Sequence, residues 1–131
     1  MRGRVVWTAI VTTALLLAAP AWSQSPAELA KIPPSVRAGI QTDFMTQKLQ
    51  LSAEQRTKVE AINLKVANQM QPLLEGSAWT LMREAKSVDE AKDNDLRAVL
   101  TPQQFDTYVG SKDEIKDLLK QKALANAAAA S

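Results

Sequence analysis

The chain of 131 residues has no cysteine and no histidine. Without cysteine there is no disulfide to staple the fold, no thiol nucleophile and no soft ligand for zinc or copper. Without histidine the commonest general base and the commonest metal-binding imidazole are missing as well. Neither a glycine-rich phosphate loop nor a nucleophile elbow is present, so no catalytic residue, no cofactor and no metal is expected, and the protein does not read as an enzyme. Glycine is scarce: beyond residue 23 only Gly39, Gly76 and Gly110 occur. Valine and isoleucine are sparse there, while Ala, Leu, Lys, Gln and Glu dominate, a composition that favours helix. Aromatic residues make up 5% of the chain, so any core is mostly aliphatic.

The first 23 residues read as a targeting segment. Arg2 and Arg4 precede an uncharged apolar run from Val5 to Ala19, and Ala21-Trp22-Ser23 supplies small residues where a signal peptidase reads them. A run of 15 residues is short for a membrane span, which favours a cleaved secretory signal over an anchor. Cleavage before Gln24 leaves 108 residues carrying 14 basic and 14 acidic side chains, so the exported chain is formally neutral. That balance argues against nucleic acid as a partner and against stable membrane insertion after cleavage. A small exported domain without disulfides needs another source of stability, and helix packing with self-association is the expected one.

Residues 24–34 form a leader in which Pro26, Pro33 and Pro34 prevent a continuous helix. Residues 35–122 form the helical domain, and 123–131 an Ala-rich tail. Three to four amphipathic helices are expected. The first runs from Val36 to about Leu49, with Ser35 as its cap and Val36, Ile40, Phe44 and Met45 as its apolar stripe. The second follows Ser52, with Val59, Ile62, Val66, Met70 and Leu73 inward, and Pro72 is expected to kink or end it near Gln71. Gly76-Ser77 is a possible break. A third helix passes through Met82, Ala85, Leu96 and Val99, with Ser87 offering a second start. The fourth begins at Pro102 and uses Phe105, Tyr108, Val109, Ile115, Leu118 and Leu119. The acidic run from Asp89 to Asp95 reads as a solvated face, since its spacing fits no calcium loop.

One phrase occurs twice: Leu51-Ser52-Ala53-Glu54-Gln55, and 49 positions later Leu100-Thr101-Pro102-Gln103-Gln104. In each copy the hydroxyl residue can accept an orphan backbone N–H at a helix start. The glutamine three residues on can reach back to close a capping box. Each leucine sits where a hydrophobic staple would hold the incoming chain, and Pro102 sits at a first helical position, where its missing N–H costs nothing.

Two Leu-[Ser/Thr]-x-x-Gln motifs about fifty residues apart, in a small exported helical chain, resemble the LTxxQ-motif family of periplasmic proteins that includes Spy and CpxP. The resemblance spans roughly Gln41 to Leu119. It implies an all-α, cradle-like antiparallel helical dimer in the periplasm. It also implies action as an ATP-independent chaperone for unfolded or partly folded envelope proteins, or as an envelope-stress regulator binding one sensor protein. The motif positions carried over are Leu51, Ser52, Gln55, Leu100, Thr101 and Gln104, with a structural, helix-capping role. The chain departs from the family's basic, Met-rich face: its exported charge cancels and only Met45, Met70 and Met82 remain beyond the signal.

Met45, Met70, Leu74, Trp79 and Met82 are the candidate client or dimer surface, because adaptable thioethers and a large ring suit capture of varied apolar segments. The competing reading buries the stretch around Trp79 in the core or in a dimer interface, as is usual for apolar stripes on short helices.

Overall fold

The computed structural model describes residues 26–130, and the expected signal peptide lies outside them. The described residues form six helices: α1 (Pro26–Ala30), α2 (Pro34–Leu49), α3 (Ala53–Glu75), α4 (Ala78–Arg97), α5 (Pro102–Gly110) and α6 (Lys112–Ala130). The fold is all-α, with no strand among the described residues. Among those residues no helix is long and apolar enough to cross a membrane.

Both repeated phrases start helices in the manner their residues suggest. Ser52 Oγ accepts the Gln55 N–H at 3.1 Å, and the Ser52 N–H donates to Gln55 Oε1 at 3.0 Å, which opens α3. Thr101 and Gln104 repeat the pair at 3.1 and 3.0 Å and open α5, with Pro102 in its first turn. Leu51 is half-buried and Leu100 buried, each against the main apolar cluster.

The helix boundaries depart from expectation in four places, each for a local reason. Helix α2 starts at Pro34 rather than Val36, and Ser35 provides no cap. Proline fits the first helical position unaided, and Pro33 O accepts the Val36 and Arg37 N–H groups at 2.9 and 3.0 Å. Helix α3 continues through Pro72 to Glu75. The proline lies in the last turn, where the loss of one donor is tolerated until Gly76 stops the helix. Ser77 then caps α4 by accepting the Thr80 N–H at 3.1 Å, and α4 runs unbroken past Ser87. A restart at Ser87 would require a second costly nucleation, which continued propagation avoids. The C-terminal segment divides at Gly110-Ser111, where the Ser111 N–H turns back to Tyr108 O at 3.0 Å.

The buried faces shift as well. In α2 the inward residues are Arg37, Ala38, Thr42, Met45 and Leu49, while Val36 is exposed. In α3 Val59 and Val66 face inward as expected, joined by Asn63, Ala67 and Leu74. Asn63 is tolerated there because its Nδ2 donates to Thr42 Oγ1 at 3.0 Å across the α2–α3 contact. The main cluster gathers Met45, Leu49, Val59, Leu96, Leu100, Tyr108 and Ile115 from α2, α3, α4, α5, α6 and the α4–α5 link. Burial of this apolar area is the chief stabilising term, at about 25 cal/mol per Å². The turn from α2 into α3 passes through Gln50, whose left-handed φ of 54° lets the Gln50 and Leu51 N–H groups return to Thr46 O.

Candidate binding groove and exposed helix corner

The six motif residues assemble at one place. The caps at Ser52 and Thr101 bring Gln55 and Gln104 side by side, although they are 49 residues apart. Their amides bond to each other and to the backbone at Val99 and Leu49. Both glutamine amides are fully engaged with the protein itself, so the motif ties two helix starts together.

The five candidate surface residues do not form one patch. Met45 is 1% exposed and belongs to the core, because α2 turns it toward Asn63 and Val59. Leu74 is buried and Met70 half-buried. Trp79 and Met82, one helical turn apart on α4, are 66% and 75% exposed. Trp79 is therefore not part of this chain's own core, which leaves a dimer interface as the burial reading for it. Gly76 and Ser77 form the corner between α3 and α4, and Ser77 caps α4 just before Trp79. Beside the corner lies a recess of about 490 Å³ that includes Pro26, Ala27, Ala30, Ala78 and Leu81.

A second concavity, of about 430 Å³, opens between α3, α4 and α6. Val66, Met70 and Leu74 of α3 form one wall, Ala85 and Val88 of α4 another, and Ile115 and Leu119 of α6 the third. Its polar end is built around Lys92. That side chain is only 7% exposed, and its Nζ donates to Gln41 Oε1 at 2.7 Å. The Tyr108 ring lies 5.8 Å from the Lys92 ammonium and 5.4 Å from that of Lys112.

The neighbouring charges form a compact network. Lys112 Nζ donates to Asp89 Oδ2 at 3.0 Å and to Asp93 Oδ2 at 2.8 Å, and the Tyr108 hydroxyl donates to Asp93 Oδ1 at 3.2 Å. Burial pushes Lys92 down to about 8, while Asp89 and Asp93 oppose the shift and Lys112 adds to it. Burial also raises the Tyr108 phenol, and Asp93 and Asp89 raise it further. For Lys112 burial acts downward, but its hydrogen bonds to Asp93 and Asp89 outweigh burial and the net shift is upward. The network can hold an anion or orient a polar head.

Sequence reading missed Lys92 and Asp93 because the run from Asp89 to Asp95 looks uniformly polar. The available signal was spacing. Lys92 lies four residues before Leu96 and seven after Ala85, on the apolar face of α4 rather than opposite it.

A family model described as a domain of unknown function (DUF4890) matches residues 23–108. The matched span includes both capped motifs and ends at Tyr108, so α6, the third wall of the groove, lies beyond it. No curated protein and no solved structure matches the chain.

Proposed function

This chain belongs to the DUF4890 family, a domain of unknown function, and we propose that it acts without chemistry, as a periplasmic polypeptide-binding protein of the Spy/CpxP kind. In this reading it is exported by its N-terminal signal, self-associates as a helical dimer and holds unfolded or partly folded envelope proteins. The observation that carries the proposal is the exposure of Trp79 and Met82 on the first turns of α4. A large ring and a flexible thioether left in solvent, beside an apolar recess, suit transient contact with apolar segments of varied shape. The paired capping motif supports the same reading through the family resemblance. Holding a non-native chain removes it from aggregation without ATP.

The test uses the exported chain, residues 24–131, in which Trp79 is the sole tryptophan. It should suppress aggregation of an unfolding model protein at stoichiometric amounts, with a blue shift of Trp79 emission. The W79A/M82S variant should remain folded and lose the suppression. A folded sample that never suppresses aggregation overturns the proposal.

A second reading rests on the balanced charge, which suits one selective partner better than broad electrostatic capture. In that case the chain regulates an envelope sensor, and capture from envelope extract returns one stoichiometric protein rather than a mixture.

A further inference from the structure

We propose that the groove between α3, α4 and α6 binds a single-chain amphiphile with a carboxylate head, its alkyl chain lying along Val66, Met70, Leu74 and Leu119 and its head at Lys92. This site is not lined by Trp79 or Met82, although Leu74 also borders the recess beside them, and it does not depend on the function proposed for that corner.

Charge selects the head. The groove is lined by Arg37, Lys86, Lys92, Lys112 and Lys116 but by one acid, Asp89, although the exported chain as a whole is neutral. Most of these cations are otherwise engaged or solvated. Arg37 donates to backbone carbonyls and Gln71, Lys112 is held by Asp89 and Asp93, and Lys86 and Lys116 are exposed at the rim. Among the described residues Lys92 shares burial and the lack of an ion pair with Arg37, but Arg37 spreads its donors over four neutral acceptors whereas Lys92 has a single hydrogen bond. It is buried, its hydrogen bond goes to the neutral Gln41 amide, and among the described residues it forms no ion pair. A buried ammonium has three donors; Asp89 and Asp93 favour its charge only through space, since both bond to Lys112, and they do not offset the cost of burying it. The Tyr108 face at 5.8 Å is a weak substitute for a bonded anion.

Shape and lining select the tail. A volume of about 430 Å³ falls within the range of small-molecule sites, and Val66, Met70, Leu74, Val88, Ile115 and Leu119 give it apolar walls beside the charged groups. One anionic head and one continuous apolar track match a fatty carboxylate. A neutral alcohol of the same length leaves Lys92 unpaired, and a quaternary ammonium repels it.

Calorimetric titration of the exported chain with dodecanoate, dodecanol and dodecyltrimethylammonium, each below its micellar concentration, tests the assignment. Dodecanoate should bind at one site per chain, about tenfold or more tighter than either other probe. Affinity should rise roughly fourfold per added methylene until the groove is full. K92M should abolish the preference for the carboxylate while keeping the dodecanol affinity. A85W, which fills the groove from α4, should abolish binding of all three probes without disturbing Trp79-dependent aggregation suppression. Equal binding of the three heads, a carboxylate preference that survives K92M, or saturable dodecanoate binding that survives A85W would each overturn the assignment. If K92M fails to fold, the head-group series on the parent chain and A85W decide it.

Discussion

The side-chain amides of Gln55 and Gln104 bond to each other in both directions. Gln55 Nε2 donates to Gln104 Oε1 at 2.7 Å, and Gln104 Nε2 donates to Gln55 Oε1 at 3.2 Å. Each Oε1 also accepts the N–H of its own cap residue, Ser52 or Thr101. Each Nε2 also reaches a backbone carbonyl of the opposite junction, Val99 for Gln55 and Leu49 for Gln104. A primary amide has two donors and two acceptor sites, and both glutamines use all four. The second glutamine of the repeated phrase therefore completes the first.

Loss of either amide leaves donors and acceptors of the other unpaired in a half-buried site. Q55A and Q104A should each cost about 1–3 kcal/mol. The double variant should cost less than the sum of the two, with a coupling of about 0.5–3 kcal/mol, because the second substitution removes groups already orphaned. Urea denaturation of the four proteins measures the cycle. Additive losses would mean that the two motifs act independently.

The caps themselves predict a smaller and more local effect. S52A and T101A should each cost about 0.5–2 kcal/mol by freeing one N–H at the start of α3 or α5. Thermal melts and binding assays should fall together, since the hydroxyls touch only their own helices. Loss of binding with stability unchanged would give the motif a direct role that its geometry does not suggest.

Much of this arrangement is legible in local sequence and some of it is not. The capping boxes are determined by residues three apart, so Ser52 with Gln55 and Thr101 with Gln104 can be read without tertiary information. The Gln55–Gln104 bond needs the packing of α2 through α5 and leaves no local trace. The same limit explains Met45 and Met82. Both are apolar residues at helical spacing, yet the rotation of α2 buries one and the other stays exposed on α4 beyond the Gly76-Ser77 corner. Lys92 falls in a run that reads as a solvated face and Arg37 carries no local sign of burial, because only contacts from other helices make their burial possible.

Lys92 predicts a pH dependence of stability. Burial holds its folded value at about 8 against an ordinary 10.5. Between those values the unfolded chain carries a proton on this amine that the folded chain has shed, so stability from this group rises with pH. Below about 8 both states are protonated and the full penalty of the buried charge is present. K92M should therefore be more stable than the parent near neutral pH, by about 1–3 kcal/mol, and the advantage should shrink towards about pH 10. Lys112 runs the opposite way: its raised folded value stabilises the fold until the pH climbs past the ordinary lysine range. Chemical denaturation across this range separates the two, because only the Lys92 contribution disappears in K92M. An advantage for K92M that stays constant with pH would refute this account.

Arg37 predicts where the fold opens first. It is 3% exposed, and no carboxylate bonds to it among the described residues. Its Nη1 donates to the carbonyls of Leu29 and Ile32, and its Nη2 to Ala67 O at 3.1 Å and Gln71 Oε1 at 2.8 Å. Burial lowers its pKa and Glu75 partly offsets that, yet a guanidinium remains charged throughout the ordinary pH range. One planar fork thus joins the end of α1 to α2 and the middle of α3. Gln71 reinforces the joint by donating to Ala30 O at 3.0 Å. Lysine cannot copy this geometry, because its donors radiate from a single nitrogen. R37K and R37M should each cost about 2–4 kcal/mol, since either leaves carbonyls from two segments without a donor. The loss should be uneven. Hydrogen exchange should show α1 and the Lys31–Pro33 link unprotected in both variants, while amides of α3 and α5 near the Gln55–Gln104 pair keep protection up to global unfolding. Protection lost uniformly across all helices, or retained in α1, would show that Arg37 does not dock the N-terminal segment.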